Sequence, residues 1–106
     1  MLEEDLMPIL AQAPATRDML FSQYDLETWG VATRIGSNVN SHFGGKRIGP
    51  YIILAKPKGT PGPYTLEITI ETKVLFLNSS GKRVDISKAR VIKEKFISCE
   101  VVPLSP

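Results

Sequence analysis

Residues 64–77 read Y-T-L-E-I-T-I-E-T-K-V-L-F-L, and this stretch decides the predicted fold. From Tyr64 to Ile70, apolar and polar residues alternate with the period of two that is typical of a strand with one buried face. Beyond Thr72 both phases are apolar as far as Leu77, which indicates a strand that is covered on both sides. We therefore predict one long central strand whose second half lies under another element.

Length places a constraint on this strand. Fourteen extended residues span about 46 Å, whereas a domain of 106 residues has a radius of gyration of about 13 Å. The strand must therefore bend, twist strongly, or project from the body as an arm for a partner subunit. We predict a bend near Thr72 and Lys73 that curls the sheet towards a sandwich or partial barrel.

The N-terminal residues predict two helices. Residues 2–13 have an amphipathic pattern, and Pro8 lies inside it, so the helix is either kinked at this proline or begins there. Thr16 is the predicted N-cap of a second, short helix that reaches Tyr24. We expect the first helix or a second sheet to cover the second half of the central strand. The apolar stripe of the first helix consists of Leu2, Leu6, Ile9, Leu10 and Ala13.

Other apolar segments predict further strands. Residues 82–86 follow a turn at residues 78–81 and are predicted to return as the hairpin partner of the central strand. The last strand changes the phase of its alternation, which predicts a bulge between Lys93 and Phe96. The predicted strands besides the central one are residues 30–35, 51–55, 82–86 and 91–102.

These elements predict an α+β fold, in which an N-terminal helical segment packs on an antiparallel sheet of about five strands. The length favours a single domain spanning residues 1–106. Its predicted parts are an acidic helical segment (1–29), an antiparallel β region (30–102) with a glycine-rich loop (36–49), and a frayed tail (103–106).

Composition is ordinary for a globular chain, with 42% hydrophobic and 23% charged residues. The longest wholly apolar run is five residues, too short to span a bilayer, and the acidic N-terminus does not resemble a secretory signal. With Cys99 as its one cysteine the chain can form no internal disulfide, which fits a reducing compartment. We expect a cytoplasmic protein without a membrane partner.

Charge is distributed unevenly along the chain, although the total is only +2. Residues 1–29 carry six acids and one base, residues 30–63 carry five bases and no acid, and residues 64–106 carry seven bases and five acids. Either the acidic segment docks near the basic one, or residues 30–63 present a basic surface to an anionic partner. The near-neutral total favours docking.

A glycine-rich, basic stretch at residues 41–47, S-H-F-G-G-K-R, is the strongest local motif. Backbone amides and cations of this kind can converge on a phosphate, although the Walker A spacing is absent and a solvated loop is the simpler interpretation. In an up-and-down meander, residues 78–83 would lie at the same end of the sheet. The candidate anion-binding residues are Gly44, Gly45, Lys46, Arg47, Lys82 and Arg83.

Catalytic and metal sites have little support in the sequence. His42 is the one histidine and a weak candidate for a general base, and no serine-nucleophile motif accompanies it. One His and one Cys without clustered carboxylates predict no metal site, and no motif predicts a cofactor.

Three function hypotheses follow from these residues. The first is a non-catalytic binding or assembly module with a protein partner or with itself, in which the last strand could pair between subunits and Trp29 is the candidate interface residue, if it is not core. The second is a phosphate- or nucleic-acid-binding domain that uses the basic loop. The third is a small enzyme that uses His42.

Overall fold

The computed structural model describes residues 2–27, 41–43 and 46–104, with residues 2–5 and the described part of 41–47 as backbone alone. The α+β class is confirmed. The elements in chain order are α1 (Leu2–Leu10), α2 (Pro14–Gln23), β1 (Tyr24–Leu26), β2 (Ser41–Phe43), β3 (Lys46–Ile48), β4 (Tyr51–Pro57), β5 (Leu66–Leu77), a 3₁₀ turn (Ile86–Lys88) and β6 (Val91–Pro103).

The main sheet has four antiparallel strands in the order β1-β4-β5-β6, and β2 and β3 form a separate two-stranded sheet. The predicted central strand is confirmed as β5, which has a neighbour on each side. The prediction of about five strands is one too many for the main sheet in the described part of the chain. This sheet is open and does not close into a barrel, and curling towards a sandwich or partial barrel stays a prediction.

The helices cover one face of the main sheet. In the register of the ladder, Tyr51 lies opposite Ile70, Ile53 opposite Ile68 and Ala55 opposite Leu66, which places all six on one face. Against that face pack Leu6, Ile9 and Leu10 of α1 and Leu20 of α2.

Three residues of the predicted α1 stripe, Leu6, Ile9 and Leu10, therefore belong to the core cluster, together with residues from the first half of β5. The stripe is not found over the second half, because the core cluster that holds these α1 residues includes Ile68 and Ile70 and no described residue between 72 and 77. In the second half only Leu77 is buried.

Proline positions explain the corrected helix boundaries. Helix α1 contains Pro8 in its interior and does not begin there. Helix α2 begins at Pro14 after Ala13, so Thr16 is not its cap. A proline suits the first helical turn because that turn needs no N–H donor. The second predicted helix ends early, because Tyr24 already belongs to β1.

Two β predictions also change. The predicted loop 36–49 contains the hairpin of β2 and β3. The predicted strand 82–86 is reduced to a single bridge between Arg83 and Leu77, followed by the 3₁₀ turn. The predicted strand 30–35 lies outside the described residues.

A bulge in β6 sets the phase of its two halves. The register moves from Glu71 opposite Ser98 to Thr72 opposite Phe96, so Ile97 is the extra residue. The predicted bulge between Lys93 and Phe96 thus lies one residue further along, at the ladder position predicted to bend. Because Ile97 is skipped, the face of β6 that meets the helices reads Ile92, Glu94, Phe96, Cys99, Val101 and Pro103.

Beyond the bulge the sheet narrows to two strands. Pairing between β4 and β5 ends where Tyr51 meets Ile70, and from Thr72 to Leu77 the described strands pair β5 with β6 alone. We call residues 71–98 the ribbon. Val74, Leu75 and Phe76 are only half-buried there, in contrast to the covered segment that the apolar pattern predicts.

Candidate functional site

The ribbon concentrates positive charge. It holds seven of the thirteen lysines and arginines of the chain and three acids, one of which, Glu94, is buried. All seven cations are exposed, and within the described part of the chain none of them forms an ion pair. They are Lys73, Lys82, Arg83, Lys88, Arg90, Lys93 and Lys95.

Three lysines share the ribbon face that points away from the helices. Lys73 lies directly opposite Lys95, and Lys93 is two residues from Lys95 on the same side of the strand. Directly paired residues have Cα atoms about 4.5–5.5 Å apart, and like charges in such pairs destabilise a sheet. The nearest acid on that face of the ribbon is Glu71, two residues from Lys73 towards the body. We call Lys73, Lys93 and Lys95 the lysine face.

The tip of the ribbon is held by one asparagine. Asn78 Oδ1 accepts hydrogen bonds from Ser80 N at 3.0 Å, Ser80 Oγ at 2.8 Å and Lys82 N at 3.0 Å. Gly81 closes the turn at a φ of 86°, in the left-handed region that favours glycine. The tip is therefore a hydrogen-bonded turn that fixes the position of the Lys82 backbone.

After this turn, residues 84–90 cross from the edge of β5 away from β6 to the edge that pairs with β6. Val84 N donates to Phe76 O at 2.9 Å, and Arg90 N donates to Leu77 O at 2.8 Å. Successive carbonyls of a strand point to opposite edges. Val84 and Arg90 therefore lie on either side of the end of β5, and the cations beside them flank it.

A buried carboxylate fixes the ribbon to the body. Glu94 lies on the helix-facing side and is only 6% exposed. Its Oε1 accepts from Tyr51 Oη at 2.9 Å, and its Oε2 accepts from Gly49 N at 2.8 Å and Thr72 Oγ1 at 2.7 Å. Bonds from donors to an ionised acceptor are the strong ones, and a buried charge needs them. We call this group the anchor; it joins β4, β5, β6 and the turn before β4.

A side-chain amide seals the outer edge of β6 beside the anchor. Gln12 Nε2 donates to Glu94 O at 2.9 Å, and Gln12 Oε1 accepts from Phe96 N at 3.0 Å. Both bonds are those that a peptide group of a neighbouring strand would make. Together with the lysines and the bulge, this amide protects the edge, which argues against pairing with a second copy at this position.

Substitution of Gln12 tests this edge contact. Gln12→Ala is expected to lower the free energy of unfolding by about 1 kcal/mol, since both hydrogen bonds lie near solvent. Gln12→Glu is expected to cost at least as much, because a carboxylate oxygen replaces the donor that faces Glu94 O. Urea denaturation measures both. Gln23→Ala is the matched control, since the Gln23 side chain makes no hydrogen bond in the described structure. Equal stability of all three variants would contradict a role for the amide.

The residues predicted as an anion site are described in two places. Gly44 and Gly45 lie outside the described residues, and Lys46 and Arg47 belong to β3. Lys82 and Arg83 lie at the ribbon tip. That these cations share one surface stays a prediction. Trp29, the candidate interface residue, also lies outside the described part.

Only the backbone of the catalytic candidate His42 is described. His42 lies in β2, opposite Arg47 in the backbone register. Cys99 is half-buried, and burial raises the pKa of its thiol, which disfavours the reactive thiolate. The described residues contain no group of three His, Cys, Asp or Glu side chains that could hold a metal ion.

Sequence reasoning missed both the lysine face and the anchor. A signal for them exists: alternation alone puts Lys93 and Lys95 on one face of β6 and Glu94 on the other, and the skipped Ile97 decides which of these faces meets the helices. The bulge was predicted from the sequence, but it was not used to infer that the two lysines point away from the helices and Glu94 towards them.

Comparison of the chain with family models, with curated proteins and with solved structures found no match. Among the helices in the described ranges, none has the length and apolar character needed to cross a membrane.

Proposed function

We propose that this chain is a non-catalytic binding module that holds an anionic partner on its ribbon. One observation carries the proposal: Lys73 and Lys95 are directly opposed, Lys93 adjoins them, and the described structure gives none of the three an ion-pair partner. Such an arrangement costs stability in the free protein, and a bound anion relieves the repulsion. The site thus differs from the loop of residues 36–49.

Two features of the described structure support this proposal. The anchor holds the ribbon against β4, so the lysine face keeps its orientation before a partner arrives, which lowers the ordering cost of binding. The lysine face also points away from the helices, so the core does not obstruct it. A cytoplasmic location is part of the proposal, since Cys99 can form no intrachain disulfide.

Removal of the lysine face tests the proposal. The variant K73Q/K93Q/K95Q is expected to elute from heparin at markedly lower salt than the unsubstituted protein. The control R17Q/K56Q/K58Q removes the same total charge outside the ribbon and is expected to elute close to the unsubstituted protein. Unfolding temperatures show whether each variant folds, and the ribbon variant should be as stable or more stable, because an opposed like-charge pair is lost.

A third variant separates the ribbon from the predicted loop site. If K46Q/R47Q loses heparin binding while K73Q/K93Q/K95Q keeps it, the loop is the anion site and the ribbon proposal fails. The proposal also fails if the unsubstituted protein passes through heparin unretained at low salt.

A further inference from the structure

We infer that the anionic partner is duplex DNA, with the ribbon lying in its major groove. This inference rests on the proposed function and adds the class of partner. It is carried by the width of the ribbon, the distribution of its cations and the position of its aromatic residues.

The width of the ribbon fits the B-form groove. Adjacent strands lie about 4.8 Å apart, and the major groove of B-DNA, about 12 Å wide and 8.5 Å deep, admits a two-stranded β-ribbon. In the described structure the ribbon is two strands wide from Thr72 to Leu75, the span that carries the lysine face, whereas the main sheet is wider. At the end of β5, residues 83 and 84 lie along its other edge. The major groove of A-form RNA is deep and narrow, so the same ribbon does not enter it.

The cations of the ribbon lie on both of its edges, which matches the two phosphate backbones that border a DNA groove. The lysine face presents three charges across both strands, and Arg83 and Arg90 flank the end of β5 on opposite edges. Phosphates border both sides of the groove, so a ribbon inside it has anions beyond both of its edges. A partner with a single line of charge would meet only one edge.

Aromatic residues argue against a single-stranded partner. Proteins that bind single strands stack bases on exposed aromatic side chains. The ribbon has two aromatic residues, Phe76 and Phe96, and the register places both on the face opposite the lysine face. Phe96 also packs against the core. The lysine face thus offers charge without a stacking surface, which suits a duplex whose bases stay paired.

Fluorescence anisotropy with four probes tests the inference. They are a mixed-sequence DNA duplex, the corresponding RNA duplex, one DNA strand, and the DNA duplex with bulky C5 substituents on its pyrimidines, which fill the major groove. The unmodified DNA duplex is expected to bind with a Kd in roughly the micromolar range and about tenfold more tightly than each of the others. The slope of log K against log salt should fall in magnitude by about 3 in K73Q/K93Q/K95Q, and should change less in R17Q/K56Q/K58Q.

The outcomes separate the inference from the function on which it rests. Heparin binding through the lysine face, with no preference for the unmodified DNA duplex, would overturn duplex DNA and leave the anion-binding module standing. Failure to bind heparin and all four probes would overturn both. The exposed Ile86 and Val91 near the tip make vesicles of phosphatidylserine and phosphatidylcholine a necessary competitor. Tighter binding to these vesicles than to DNA would also overturn the inference.

Discussion

Replacing Glu94 with alanine is expected to lower the free energy of unfolding by about 3–5 kcal/mol, the largest effect of any single substitution that we propose. The carboxylate accepts hydrogen bonds from Gly49 N, Tyr51 Oη and Thr72 Oγ1, and all three donors lose their acceptor together. The truncation also leaves a cavity at a site that is 6% exposed. Urea denaturation followed by circular dichroism measures the change.

Two further variants make the Glu94 prediction decisive. Glu94→Gln keeps the volume and one acceptor oxygen but turns an NH₂ group towards donors, so it should destabilise by about half as much and remain folded. Glu100→Gln changes an exposed acid on the same strand and should stay within about 0.5 kcal/mol of the unsubstituted protein. If Glu94→Ala were no less stable than Glu100→Gln, the anchor would not hold the ribbon.

Gly49→Ala is expected to destabilise the protein by about 1–3 kcal/mol through crowding. A Cβ at this position would lie 2.5 Å from Thr72 Oγ1 and 3.3 Å from two ring carbons of Tyr51, so the atoms of the anchor must move apart. The shift also disturbs the bond from Gly49 N to Glu94. The unfolding midpoint in urea reports the loss.

A double-mutant cycle identifies the cause of the Gly49 effect. Because Thr72→Ala removes the crowded oxygen, G49A/T72A should be more stable than the sum of the two single changes predicts. Gly59→Ala is the contrasting control, since Gly59 has a φ of 80° with no atom within 4 Å of an added Cβ, so it reports backbone strain without crowding. Strict additivity in the cycle would show that crowding against Thr72 is not the cause.

The body of the fold was predictable because local patterns determine it. Alternation in residues 64–70 identified the central strand, and the α1 stripe identified the residues that pack on it. Both signals need only the period of one element and the tendency of apolar faces to be buried. The bulge in β6 was predictable to within one residue from the change in phase of its alternation, whereas the bend of the central strand near Thr72 and Lys73 stays a prediction.

The site was less predictable because it depends on contacts between distant residues. The anchor joins Gly49, Tyr51, Thr72 and Glu94, and no local pattern shows that three donors converge on one carboxylate. The charge of the ribbon was partly hidden in the total for residues 64–106, since Glu67 and Glu100 outside the ribbon lower its net charge of +4 to +2. The apolar run to Leu77 was misleading, because it predicts a covered strand where the described structure has a half-exposed ribbon.

Ile97 has a consequence for how the length of this chain can vary. An unbroken alternation back from Cys99 would turn Glu94 towards the lysine face and Lys95 towards the helices, and skipping Ile97 prevents this. Ile97 has no partner in the ladder, so a homologue without it would keep every cross-strand pair in the ribbon. The direction of β6 would change, because a bulge bends its strand. Loss of Ile97 would therefore change the direction of the ribbon, while the lysine face and Glu94 would stay on the same faces as before.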